Sequence, residues 1–172
     1  AKTINGLTDA EEKVIWRKHE TGVMASHIWA PELHYIDGKW YIYFAAGEHE
    51  NIWEIRPYVL ECADADPIGG TWTEMGMMQA LTPPDENTIN GYGRYSFTDF
   101  SLDMTTFEHR GRRYCIWAEK VGRRFGISNL YIAEMSAPNK LKTVQVLLTT
   151  PDYDWERIDF WVNEGPAVLK HG

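Results

Sequence analysis

The 172-residue sequence predicts an all-β fold assembled from repeated four-stranded antiparallel sheets. One observation is a recurring hairpin. Ala30–Gly38 leads into Lys39–Ala46, and Asp103–Gly111 leads into Arg112–Ala118. Each is a short strand, a turn near glycine and an aromatic-rich return strand. Asn163–Gly172 starts the pattern a third time and reaches its turn glycine. A second observation is apolar alternation with period two, with glycine and proline interrupting most stretches long enough for a helix. A third is spacing: the turn glycines Gly38, Gly111 and Gly172 lie 73 and then 61 residues apart, room for a four-stranded unit each time. One such sheet has two faces and cannot bury both alone, so the units are expected to stack around an axis as propeller blades.

Residues 8–16 suit one helical turn after a Thr8 or Asp9 cap, and Val14-Ile15-Trp16 reads as a short strand. Tyr41, Tyr43 and Ala45 alternate with Ile42 and Phe44. All are largely apolar, which predicts an interior strand covered on both faces. Tyr58–Cys62 is the next strand and Trp72–Met75 a shorter fourth. The order repeats in Met104–Glu108, Tyr114–Glu119, Asn129–Met135 and Val144–Leu148. The expected organisation is a blade over 22–80, a loop over 81–96, a blade over 97–150, and a linker with the first strand of another blade over 151–172. Within the loop, residues 82–96 are rich in Pro, Asn and Gly and exceed an ordinary connection. Their Tyr and Arg side chains could shape a binding rim, the plainer reading being a solvated interblade loop.

Composition narrows the function. A chain that is 44% hydrophobic, with eight Trp and nine Tyr, has ample material for a core. A formal net charge of -8 argues against nonspecific nucleic-acid binding, which wants a basic field. The pairs Arg112-Arg113 and Arg123-Arg124 read as solvated turn residues. No apolar run approaches the roughly 20 residues a bilayer requires. The first residues carry no signal-like apolar core, and a signal removed or lying upstream stays compatible with that. Cys62 and Cys115 fit neither a metal-ligand spacing nor a dense disulfide framework, and both read as free thiols with a bridge as the alternative. Compartment stays open, with extracellular or periplasmic placement favoured over cytoplasmic.

Acidic residues recur in the innermost strands, where blades line a central channel: Glu32, Asp103 and Glu164. A carboxylate inside an apolar strand is rare unless paired, ligated or functional. Asp103 stands between Phe100-Ser101-Leu102 and Met104-Thr105-Thr106-Phe107, and Glu164 between Trp161-Val162-Asn163 and Gly165-Pro166-Ala167. Such surroundings restrict water and favour a raised or coupled pKa.

Several motifs together resemble glycoside hydrolase family 43. They are His27-Ile-Trp-Ala-Pro-Glu-Leu-His34, Ser101-Leu-Asp-Met-Thr-Thr-Phe107, Val162-Asn-Glu-Gly-Pro-Ala167, Ser128-Asn-Leu-Tyr-Ile-Ala-Glu-Met135 and Tyr153-Asp-Trp-Glu156. The combination is similar to the arabinofuranosidase branch, described as exo-acting on 1,5-linked arabinan. The resemblance implies a five-bladed β-propeller of which this chain supplies about two blades and the start of another. It implies Glu164 as general acid and Asp103 as the residue that tunes the acid's pKa and orients the sugar. The third acid, an Asp general base, would come from outside these residues, on missing segments or a companion chain, and the chain alone is then expected to be inactive. The implied reaction inverts the anomeric carbon and releases terminal α-L-arabinofuranose from arabinan or arabino-oligosaccharides, with arabinoxylan-derived oligosaccharide as a further partner.

His27 and Trp29 are placed to bind the sugar, Glu32 to hold His27 or a nearby backbone group, and Asn163 and Trp161 to flank the acid. His109 reads as structural, and the remaining tryptophans, Trp40 and Trp117 among them, as interblade packing. No cofactor is required. A structural cation in the propeller channel is compatible with the resemblance, with ligands outside this chain. Alternatives are a β-xylosidase or endo-arabinanase of the same family, or a catalytically incomplete glycan-binding propeller fragment. Neither nucleic acid nor membrane is an expected partner.

Overall fold

A computed structural model describes residues 3–81, 97, 98, 100–121 and 126–171. The expected loop at 82–96 therefore lies outside the described residues. The described strands form two antiparallel sheets. In the first, β1 (Ser26–Ile36), β2 (Lys39–Gly47), β3 (Arg56–Cys62) and β4 (Trp72–Met77) pair in chain order. In the second, β5 (Ser101–His109), β6 (Arg112–Val121) and β7 (Ile127–Ala137) repeat that order. The free edge of β7 then takes β8 (Lys140–Leu141) beside Met135–Ala137 and β9 (Val146–Thr149) beside Leu130–Ile132. The all-β expectation is met by two blade-like sheets, and the described residues form no closed ring.

The two recurring hairpins close in the same way. Asp37 and Gly38 have φ of 48° and 87°, and Arg110 and Gly111 have φ of 50° and 72°. Two successive positive φ values are what a two-residue turn needs to match the twist of its strands. Nothing lies within 4 Å of a Cβ placed on Gly38 or Gly111, so backbone conformation and not space selects glycine there.

The strand covered on both faces is present. Tyr41, Tyr43, Phe44, Ala45 and Ala46 of β2 are all buried. One core cluster spans the two sheets. Ile36, Tyr41, Tyr43, Val59 and Met78 of the first half meet Met104, Cys115, Trp117, Ala133 and Met135 of the second. Main-chain bonds seal the seam, with Ser101 N–H donating to Ile55 O at 3.0 Å and Leu141 N–H to Gln79 O at 2.9 Å. Tyr43 Oη adds a side-chain bond across it, donating to Pro138 O at 2.6 Å. Burial raises the Tyr43 hydroxyl's pKa, so it stays a donor at any ordinary pH. Replacing Tyr43 with Phe is expected to lower unfolding free energy by about 1 kcal/mol, the net worth of one such bond. A urea midpoint equal to the parent's would show that the seam does not use it.

Three local expectations are corrected. Residues 14–16 form no strand, and a 3-10 turn occupies Asn5–Leu7 instead. Trp16 packs on Phe44 at 5.2 Å and donates its ring N–H to Glu74, so its apolar neighbourhood served packing and not a ladder. The fourth strand of the second sheet is split, with Lys140–Leu141 added and Val146–Thr149 in place of Val144–Leu148. Residues 163–171 form no strand, and only Val162 makes a bridge, to Ser128. A strand needs a ladder of partners for its backbone groups, and among the described residues 163–171 has one main-chain bond, from Asn163 N–H to Ser128 O. Cys62 and Cys115 are buried free thiols.

Candidate active site

Bulges at the start of each inner strand decide where the acids point. In β5, Leu102 pairs with Ala118 and Thr105 with Ile116, leaving Asp103 and Met104 opposite Trp117 alone. Asp103 has a φ of 53°, a left-handed conformation that Asp tolerates better than most residues. Two residues against one is a β-bulge, which bends the strand and re-aims its side chain. In β1 the same device appears twice, with positive φ at His27 (47°) and Ala30 (45°).

The segment bearing Glu164 is tied to the second sheet on both sides. Ser128 N–H donates to Trp161 O and Asn163 N–H to Ser128 O, each at 3.0 Å. Gly165, in the left-handed region at φ 59°, then donates its N–H to Asp103 Oδ2 at 3.1 Å. This bond fixes the backbone next to Glu164 against the carboxylate expected to tune it. Burial raises the Asp103 pKa above the usual carboxylate range, repulsion from Glu32 adds to that, and the Gly165 N–H opposes it. Glu164 is exposed as a whole residue, yet its carboxyl is partly desolvated. That desolvation raises its pKa first, and the charge of Asp103 raises it further. Ser128 Oγ, buried nearby, opposes the rise without completing a hydrogen bond of good geometry.

The structure thus brings Glu32, Asp103 and Glu164 into electrostatic contact. Glu32 does not hold His27, however. Its Oε2 lies 2.9 Å from His34 Nε2, two residues along the same strand and therefore on the same face. His27 instead places Nδ1 2.6 Å from Ile52 O, and its ring packs on Trp29 at 4.7 Å. Trp29 in turn packs against the cluster containing Leu102, the neighbour of Asp103. Asn163 donates its side-chain amide to Thr149 Oγ1 at 3.0 Å, and the Arg157 guanidinium lies 4.9 Å from the Trp161 ring centre. Both flank the acid while holding their own segment in place. His109 is exposed at the end of β5. Among the described residues no group of three or more His, Cys, Asp or Glu is placed to hold a metal ion.

Two features escaped the sequence reading. Glu32 and Asp103 are not equivalent positions. Asp103 stands eight residues before Gly111, as Glu164 stands eight before Gly172, and the residue eight before Gly38 is Ala30. The recurring hairpins already align Ala30 with Asp103, and their shared positive φ confirms that equivalence. The tryptophans also divide. Trp117 is wholly buried as interblade packing requires, whereas Trp53 and Trp155 are exposed.

Neighbouring carboxyls with raised pKa values on paired blade-like sheets are parts from which acid–base cleavage of glycosides can be built. Residues 1–172 match glycosyl hydrolases family 43 over their whole length, and the chain belongs to that family. Within it the chain falls in the arabinofuranosidase-like branch. It is 47% identical over 170 residues to an extracellular exo-α-(1→5)-L-arabinofuranosidase of Streptomyces chartreusis, covering 99% of this chain and 47% of that protein. It is 44% identical over 171 residues to α-L-arabinofuranosidase 43 of Humicola insolens, covering 99% of this chain and 32% of the relative. The crystal structure of α-L-arabinofuranosidase from Lactobacillus brevis superposes with a TM-score of 0.80 at 47% identity, covering 99% of this chain and 50% of that one. The chain spans half or less of the length of these relatives.

Proposed function

We propose that the protein carrying this chain releases terminal α-L-arabinofuranose from arabinan or arabino-oligosaccharides, with inversion at the anomeric carbon. The bond from Gly165 N–H to Asp103 Oδ2 carries the reading, because it sets a charged acceptor beside Glu164, whose carboxyl is held above its usual pKa. A general acid must keep its proton near the working pH, and desolvation beside a like charge is how a Glu does so. Glu164 then protonates the departing oxygen while Asp103 orients the sugar through its hydroxyls. A general base from outside these 172 residues activates water on the opposite face, at the separation of roughly 6.5–9.5 Å that inversion needs. His27, Trp29 and Trp161 border the sugar. The remaining blades of a five-bladed ring come from further residues or a companion chain. Identity of 44–47% to the named arabinofuranosidases supports the choice of sugar. The extracellular Streptomyces relative supports secretion.

The pH profile tests the coupling. Replacing Asp103 with Asn keeps an oxygen for Gly165 and removes the charge. Glu164 then loses a repulsion that raised its pKa, so its proton leaves at lower pH. The alkaline limb of kcat/KM on linear arabino-oligosaccharide reports that proton and is expected to move to lower pH. An alkaline limb left in place by Asp103→Asn would separate Asp103 from the acid's ionisation.

A further inference from the structure

Trp53 is exposed over 59% of its surface and lies in the connection between β2 and β3. A lone exposed aromatic is ordinary, but one fixed in a group of stacked rings presents a preformed apolar surface. Trp53 is held: its ring stacks on His27 with centroids 4.5 Å apart and planes 26° from parallel. His27 is itself anchored, since Nδ1 lies 2.6 Å from the Ile52 carbonyl and must carry the hydrogen to donate there. In the neutral ring Nε2 is then left as an acceptor. Trp29 completes the group, 4.7 Å from His27 and 6.3 Å from Trp53.

These rings occupy the acid-bearing end of the sheets. The C-terminal end of β2 pairs with the start of β1 at Ser26–Gly47, and Trp29 packs against the cluster of Ala45, Ile55, Leu102 and Ala118, in which Leu102 is the neighbour of Asp103. Trp53 stands one ring further out than Trp29, on the first sheet, whereas Asp103 and Gly165 are joined on the second. Trp53 joins the cluster beside Asp103 through His27 and Trp29, so the unit assigned to it is the one next to the sugar held between Asp103 and Glu164. The exposed indole face suits the apolar C–H face of a pentose, and His27 Nε2 suits a hydroxyl at its edge.

We propose that Trp53, backed by His27, is the stacking platform for a second sugar unit, so that it sets preference for an oligosaccharide over a single arabinoside. The proposal rests on the arabinofuranosidase reading above. Its test compares Trp53→Ala and Trp53→Phe with the parent, in the catalytically complete protein, on aryl arabinofuranoside and on 1,5-linked arabinotriose. The ratio of kcat/KM for the triose to that for the aryl substrate is expected to fall about tenfold in Trp53→Ala, the scale of one aromatic stacking contact. Trp53→Phe, which keeps an aromatic face, is expected to restore most of it. An unchanged ratio, or equal loss on both substrates, would overturn the platform. Should the parent cleave neither substrate, the arabinofuranosidase reading fails by itself. Calorimetry of arabinotriose binding then decides separately: binding about tenfold weaker in Trp53→Ala supports the platform, and equal binding overturns it.

Discussion

Glu164→Gln is expected to reduce kcat on linear arabino-oligosaccharide by about 10²–10⁴-fold, the usual worth of a positioned proton donor. The leaving group there is a sugar alkoxide, which departs badly unless protonated as the bond breaks. An aryl arabinofuranoside with an acidic phenol leaves more readily without a proton, so its loss is expected to be smaller. That split between substrates identifies an acid, because a merely structural residue would slow both alike. The fold has no reason to suffer. Glu164 is exposed, and its neighbour Gly165 reaches Asp103 through the backbone. Both carboxyls have raised pKa values in the folded state, so stability falls as pH rises above the usual carboxylate range. Gln at 164 removes one of two mutually repelling charges, and the variant's melting temperature at neutral pH is expected at or above the parent's. Full turnover of the oligosaccharide by Glu164→Gln would take this residue out of the acid role.

Much of the fold was legible because the hairpins announce themselves twice, once by apolar alternation and once by a turn glycine with positive φ. Gly38 and Gly111 mark the same event in both sheets. The bulges were not legible. A left-handed Asp103 or Ala30 leaves no compositional trace, since neither is glycine, and the register slip exists only against the partner strand. This is why Glu32 was grouped with Asp103 although it stands at the place of Thr105, opposite Tyr43 as Thr105 is opposite Ile116. The bulge at Asp103–Met104 interrupts the pleat between those two places, yet Glu32 is near enough for its charge to act on Asp103. Val14–Trp16 misled in the opposite direction: it has strand-forming residues, but tertiary packing of Trp16 on Phe44 overrode local preference. Trp53 lies between Ile52 and Glu54 with no period-two alternation around it, and its contacts with His27 and Trp29 separate it from a solvated loop aromatic.

Trp117 connects the core to the site, and its removal should cost more stability than any other single change considered. It is fully buried in the cluster that joins the sheets, with Phe97 at 5.2 Å and Tyr131 at 6.2 Å. It is also the single residue facing the Asp103–Met104 bulge. Its ring N–H donates to Glu119 Oε2 at 2.8 Å, while Oε1 of the same buried carboxyl accepts the Thr98 N–H at 2.7 Å. One ring therefore fills the seam, supports the bulge and satisfies a buried acid that holds the approach to β5. Trp117→Ala is expected to destabilise by about 3–5 kcal/mol, the range for emptying a large buried aromatic site. Trp117→Phe keeps most of the volume and loses the donor, with an expected loss of about 1–3 kcal/mol from the buried carboxyl. Urea unfolding of both variants separates packing from the hydrogen bond. A loss below about 1 kcal/mol for the alanine variant would mean that the sheets do not depend on this ring. If the bulge also depends on it, Trp117→Phe, which stays folded, shifts the alkaline limb of the pH profile by changing how close Asp103 is held to Glu164.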